Sequence, residues 1–263
     1  RVWTASQLNQ FLTGTSDHRY HTALWVTANT GMRRGEILGL RWGDVDPGAR
    51  LRLDGAARYL QDVGHDDTQA NGTDPTDPWI VRRTTIDVIV PAVADEELEL
   101  VTFCGGIGPR WAERRTTVTG DRGARIEAMA LWVRLDRTTG RPARLDPAFL
   151  ALYADFTGDR KVSAAVTHGE PPCDAARRPW VLRATDFDPL GHVNNAATWE
   201  PVVDELARHQ LHPRRAQVEY RAALDPGDDV VLASVVDDHR LRLWLEVDGV
   251  VRASAVVHTR PRA

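Results

Sequence analysis

Lysine is almost missing from this 263-residue chain: Lys161 is the only one, and arginine supplies the rest of the positive charge. Cysteine is nearly as scarce. Cys104 and Cys173 are the only two, in no CxxC or zinc-ligand spacing, so neither a disulfide framework nor a metal site is expected. No basic excess exists either. The formal net charge is -4 and the pI about 6.2, which argues against a nucleic-acid partner bound through an overall field. The longest apolar runs are far too short to span a bilayer, and the first residues lack a signal-peptide pattern. The expectation is a soluble cytoplasmic protein with no cofactor, no metal and no membrane or nucleic-acid partner.

What is present is enough apolar material for a real core, 42% of residues, arranged in two cycles. The first 40 residues read as helices, with "TASQLNQFL" and "HTALWVTANTGMRRGEILGLRW" carrying helical spacing. From residue 43 the pattern changes. "LRLDGAARYLQDV" is a helix with Asp54 near its start, and four strand patterns follow between residues 79 and 136. Residues 137–178, rich in Pro, Gly and Arg around the helix-like "DPAFLALYADF", read as a connector. A second cycle follows: the strand "PWVLRATDFD", a helix over 194–209 and four more strands. The predicted division is therefore 1–42, 43–136, 137–178 and 179–263.

The cycles align. "GDVDPGARLRLDGAARYLQDV" from Gly43 lies on "TDFDPLGHVNNAATWEPVVDEL" from Thr185, and "IDVIVPAVADEELEL" parallels "VEYRAALDPGDDVVL". An amphipathic helix must bury its stripe, and four or five antiparallel strands curling round it would do so. Two such units in tandem give an α+β repeat of helix-wrapped sheets. The copies differ at one place. "GHVNN" occurs only in the second; the first has Arg and Leu there. Residues needed for folding alone would be expected in both, so one working site is expected in the second half.

"DFDPLGHVNN…W", together with "LDGAARYLQDV", "WIVRRTTIDV", "RWAERRTTV" and "ALWVRLDRTTGRPARL", resembles the acyl-ACP thioesterases of plants and bacteria over about residues 43–260. The resemblance implies a double hotdog: two long helices packed on one continuous antiparallel sheet. It also implies hydrolysis of the thioester joining a fatty acyl chain to acyl carrier protein (ACP), the expected partner. Asp188 and His192 fall on the family's catalytic positions. The Asn between them is replaced by Leu190, the Tyr after the Asn pair by Thr198, and the acidic residue and Cys after "EYR" by Ala223 and Leu224.

The chemistry of the stretch fits that reading. Asp188 can orient water or attack, His192 can act as general base or hold the carbonyl, and a helix starting near Asn194 would offer N–H groups to an oxyanion. Asn194 and Asn195 are the expected cradle, with plain N-capping as the competing role. Asp186 reads as a turn former, and the Arg pairs 82–83, 114–115, 177–178 and 214–215 as a solvated face, some of it free to meet an acidic carrier protein. Rival readings are an acyl-CoA hydrolase and a non-catalytic acyl-binding hotdog. A homodimer stays open.

Residues 3–46 resemble a different family. "TGMRRGE" is similar to the helix start of tyrosine recombinases, or phage-type integrases, with Arg33 on the phosphate-clamping position. The expectation is an integrase fragment fused to the thioesterase near "LRWGDVDP", with a DNA-binding remnant as the least favoured function.

Overall fold

The computed structural model describes Thr13 and residues 44–70, 78–157, 160 and 162–261. Val45–Ala263 forms one compact unit, and Arg1–Asp44 a second. The recombinase-like helices, Arg33 among them, lie outside the described residues. The long unit carries α1 (Leu53–Ala70), β1 (Trp79–Val90), β2 (Leu98–Ile107), β3 (Trp111–Gly120), β4 (Arg125–Arg134) and α2 (Pro147–Thr157). It continues with β5 (Ala176–Trp180), α3 (Glu200–Arg208), β6 (Pro213–Tyr220), β7 (Val230–Asp237), β8 (Arg240–Val247) and β9 (Val250–Thr259).

The nine strands of the described residues form one antiparallel sheet in the order β2-β3-β4-β1-β6-β9-β8-β7-β5. The join between the repeats is β1 against β6, running from Arg83↔Glu219 through Thr85↔Gln217 to Asp87↔Arg215. Alternation fixes which side of each strand meets the helices. Ile86, Val88, Ile126, Ala128, Ala216, Val218, Leu241, Leu243, Leu245, Ala253, Ala255 and Val257 share a core with Leu53, Ala56 and Ala57 of α1 and with Trp199, Val202 and Leu206. This is the α+β double-hotdog architecture expected from the two cycles.

Two predicted elements are shorter than their patterns. The strand expected over "PWVLRATDFD" ends at Trp180, and a 3-10 turn occupies Ala184–Asp186. The helix expected from residue 194 begins only at Glu200, after a 3-10 turn over Ala197–Trp199. Pro201 explains the late start: it has no N–H to satisfy and suits the first turn of a helix. Of the Arg pairs, Arg177, Arg214 and Arg215 are exposed, as a solvated face would be, while others are engaged. Arg82 donates to the Tyr220 carbonyl, Arg114 pairs with Asp67 of α1, and Arg178 pairs with Asp204 and Glu205 of α3.

The connector is strapped across the sheet face opposite the helices. Trp111 Nε1 donates to the Val162 carbonyl, and Arg83 donates to the Ser163 and Ala165 carbonyls. Glu219, with no solvent exposure, accepts from the backbone and hydroxyl of Thr167 and the backbone of His168. Trp244 Nε1 donates to the Gly169 carbonyl. Strap groups thus satisfy a buried carboxylate that would otherwise be very costly. Arg83 and Glu219 are directly opposite one another, yet each is turned to the strap backbone.

His168 is enclosed beneath this strap, with Nδ1 3.0 Å from Ser254 Oγ and Nε2 3.1 Å from Gln217 Oε1. Burial lowers its pKa, and the opposing pull of the Glu219 carboxylate does not offset this. The folded chain therefore holds His168 neutral where the unfolded chain would protonate it, and stability falls as pH drops below the ordinary histidine value near 6.5. Chemical denaturation between pH 8 and pH 5 is expected to show this loss, and His168→Gln is expected to flatten it. An unchanged pH slope in the variant would show that His168 is not its source.

Candidate active site

The stretch from Asp186 to Asn194 is a closed turn. The Asp188 N–H donates to the His192 carbonyl at 2.9 Å, the Gly191 N–H to the Asp188 carbonyl at 3.0 Å, and the Asn194 N–H to the Asp186 carbonyl at 2.7 Å. Gly191 sits at φ 83°, a left-handed position where glycine is unstrained. The Val193 N–H then donates to the Leu224 carbonyl at 2.9 Å, which stitches this turn to the loop after β6.

The first repeat builds the same object. The Asp46 N–H donates to the Arg50 carbonyl at 2.7 Å, the Ala49 N–H to the Asp46 carbonyl at 2.8 Å, and the Leu51 N–H to the Ala92 carbonyl at 2.9 Å. Ala49 takes the left-handed position at φ 59°. The partner loops match too. The Val93 N–H donates to Glu96 Oε2 at 3.0 Å, and the Asp225 N–H to Asp228 Oδ2 at 2.8 Å. One backbone scaffold is therefore present twice, with different side chains on it.

The differences are local. In the first repeat Arg50 faces Val93 through a β-bridge, and Arg50 Nε donates to Asp46 Oδ2 at 3.2 Å. In the second, His192 and Asp225 stand at those positions, with His192 Nδ1 2.7 Å from Asp225 Oδ1. Asp188 Oδ1 accepts from the backbones of Leu190 (2.8 Å) and His192 (3.3 Å), much as Asp46 Oδ1 accepts from Arg50 (2.9 Å). Capping the turn is thus a job both aspartates do. What sets Asp188 apart is its second oxygen. Among the described residues no guanidinium bonds it, and the residue matching Arg50 is a histidine turned toward Asp225.

His192 and Asp225 are both about half exposed, at 52% and 55%. With Nδ1 engaged by Asp225, His192 presents Nε2 outward. A carboxylate on one ring nitrogen fixes the tautomer and leaves the other nitrogen as the proton acceptor. The family resemblance points to the positions held by Ala223 and Leu224 and not to Asp225. Ala223 is exposed and Leu224 is buried in the core. The carboxylate that meets His192 comes from the next residue along.

The asparagines do other things than a helix N-terminus would. Asn194 Oδ1 accepts from the Ala196 N–H at 2.8 Å, and the Asn194 carbonyl accepts from the Thr198 N–H at 3.1 Å. The Asn194 side chain therefore closes an Asx turn ahead of the 3-10 turn, and the α3 dipole starts six residues further on. The Asn195 carbonyl accepts from the Tyr220 hydroxyl, which in turn accepts from Trp199 Nε1, both at 3.0 Å. Burial raises the Tyr220 pKa well above the usual tyrosine value, so this phenol is a structural link rather than an acid.

Asn195 also opens onto a groove. It and Ala196, Trp199 and Tyr220 form one wall; Ala57, Leu60 and Gln61 of α1, with Val81, Thr84, Ala130 and Trp132, form the rest. The space between these walls, open solvent included, is about 310 Å³. Trp132 Nε1 is buried without a hydrogen-bond partner, a free donor on a residue of this wall. Asp188, His192 and Asp225 do not line the groove. Asn194 and Asn195 join it to their turn. Among the described residues no cluster of His, Cys, Asp and Glu could hold a metal ion, and no helix is long and apolar enough to cross a membrane.

Over most of its length the chain is similar to known proteins. The sequence model of the acyl-ACP thioesterase N-terminal domain matches residues 36–153, and that of the C-terminal domain matches residues 170–254. Two uncharacterized proteins of Mycobacterium tuberculosis strains are each 33% identical over 219 residues, covering 81% of this chain and 87% of theirs. Among solved structures, the 12:0-ACP thioesterase from Umbellularia californica superposes with a TM-score of 0.71 at 17% identity, over 86% of this chain and 96% of that one. An acyl-ACP thioesterase from Bacteroides thetaiotaomicron gives 0.71 at 18% identity, over 84% and 94%. At these identities the structural likeness establishes the fold.

The duplicated turn makes a stability prediction. Asp46→Ala and Asp188→Ala remove the same kind of carboxylate-to-backbone cap, so each is expected to cost about 1–2 kcal/mol in denaturant melts. Markedly unequal losses would show that the two turns are not held in the same way.

Proposed function

The chain belongs to the acyl-ACP thioesterase family, whose members hydrolyse fatty acyl-ACP thioesters, and on that premise we propose that Asp188, His192 and Asp225 carry the hydrolysis. The observation behind this is the exchange of Arg50 and Val93 for His192 and Asp225 on one duplicated scaffold. An arginine and a valine can hold a turn. A histidine with a carboxylate on Nδ1 can also move a proton.

In this reading the acyl chain lies in the groove between α1 and the sheet, and its thioester carbonyl sits where Asn194 and Asn195 meet the turn. Asp188 Oδ2 orients a water. His192 Nε2 takes a proton from that water as its oxygen attacks the carbonyl carbon, while Asp225 stabilises the imidazolium that forms. Collapse of the tetrahedral intermediate breaks the C–S bond, and His192 returns the proton to the departing phosphopantetheine sulfur. Trp132 Nε1 on the wall, and the Asn194 side-chain amide beside it in the turn, are candidates for holding the oxyanion.

We place the reaction on ACP in the cytoplasm, supported by the family assignment and by the lack of a helix able to cross a membrane among the described residues. The matched family segments start at residue 36, so Arg33 lies outside them and is given no part in the chemistry.

His192→Ala and Asp188→Asn are each expected to lower kcat on acyl-ACP by about 10²–10⁴-fold with the fold intact, and Asp225→Asn by a smaller factor. Asp46→Asn is expected to leave kcat unchanged, because its turn has no histidine. Steady-state kinetics on purified protein decide it; near-normal turnover by His192→Ala would sink the assignment. Acyl-CoA of matched chain length, run in parallel, tests the carrier preference.

A further inference from the structure

The base of the His192 turn is tied to the other repeat. Asp186, almost fully buried, accepts from Arg183 through the backbone N–H (2.8 Å), Nε (3.0 Å) and Nη2 (2.7 Å). Its carbonyl closes the turn by accepting from Asn194. Arg183 Nη2 also donates to Glu200 Oε2, and Glu200 Oε1 accepts from Arg58 Nη2 at 3.0 Å. Arg58 Nη1 reaches Asp54 Oδ2 at 2.9 Å, and Arg52 grips the same carboxylate at 2.9 and 2.7 Å. Asp54 has no solvent exposure. Burial pushes its carboxyl up, but the Arg52 and Arg58 guanidiniums outweigh this and hold it below its ordinary value.

This chain of charges has an address at each end. Arg58 follows Ala57 on α1, and Ala57, Leu60 and Gln61 line the groove. Glu200 follows Trp199, which lines it from the other side. At the far end, Asp186 is two residues from Asp188. Arg58 and Glu200 also occupy equivalent places in the aligned repeats, so one side-chain contact spans the join near its pseudo-twofold axis. Charged pairs of this exposure, 37% for Arg58 and 21% for Glu200, add little to stability, and that contribution does not account for a network this connected.

We propose that the Arg58–Glu200–Arg183 bridge is a positioning element, coupling the α1 wall of the groove to the His192 turn so that a seated acyl chain sets the geometry of the reacting groups. The inference rests on the site assignment above. Displacement of reacting groups by about 1 Å can cost on the order of 10²-fold in rate, so slack in the bridge is read in kcat rather than in KM.

The test is kcat and KM for Glu200→Gln and Arg58→Met on palmitoyl-ACP and butyryl-ACP, with His192→Ala as control and near-UV circular dichroism to verify folding. Each bridge variant is expected to lose about tenfold in kcat on the long chain with KM within about twofold. Loss on the short chain, whose tail does not fill the α1 wall, is expected to be slight, and the double variant to lose no more than either single. A wild-type long-to-short kcat ratio in both variants, alongside an inactive His192→Ala, overturns the bridge and leaves the site standing. An active His192→Ala overturns the site itself. If both bridge variants fail to fold, the network is a structural clamp and the positioning role falls.

Discussion

Five residue pairs between β1 and β6 hold the two repeats in one sheet, and nearly every other feature of the molecule depends on them. The pairing sets Thr84 beside Val218 and Ile86 beside Ala216, and closes a continuous core on one face, with helices from both repeats packed against it. On the opposite face it sets charged residues side by side: Asp87 with Arg215, and Arg83 with Glu219. Asp87 and Arg215 bond each other at 2.9 Å. Arg83 and Glu219 instead take the strap, so the connector is fixed by groups the sheet join has already placed. Removing either partner would strand a charge, and in the case of Glu219 a fully buried one.

The groove follows from the same join. Its lining combines α1, β1 and β4 with residues 195–199 and Tyr220. Those pieces meet only because β6 lies against β1. The His192 turn is stitched in turn to the loop after β6 by the Val193–Leu224 hydrogen bond. Shifting β6 by one residue against β1 would put Ala216 and Val218 on the strap side and dismantle the groove and the turn together.

Much of the fold was legible in the sequence, because each cycle carries a strong periodic signal: apolar alternation in "WIVRRTTIDVIV" and "RLRLWLEV", and a helical stripe in "LDGAARYLQDV". The places where the pattern overran are places where local chemistry outweighed periodicity. Pro201 delays α3, and the Asp186 carboxylate folds "ATD" into a 3-10 turn rather than letting β5 continue. The candidate site was legible along the chain and not across it. Asp188 and His192 are four residues apart, and their spacing is a sequence signal. Asp225 is 33 residues from His192, and nothing in one dimension says that it rather than Ala223 faces the imidazole. The aligned repeats did set Asp225 opposite Val93. The meaning of that exchange needed the hydrogen bonds.

A homodimer of single hotdogs must place every side chain twice, since symmetry copies each substitution into both halves. Here the halves are covalently one chain, and each position answers only to itself. The groove shows the result: Ala57, Leu60, Gln61, Val81, Thr84, Ala130 and Trp132 all come from the first repeat, while His192 and Asp225 belong to the second. The α1 side of the groove and the His192 turn are therefore encoded in separate halves of the gene, while Asn195, Ala196, Trp199 and Tyr220 add a wall from the second. Either one can drift, enlarge or be exchanged without rewriting the other.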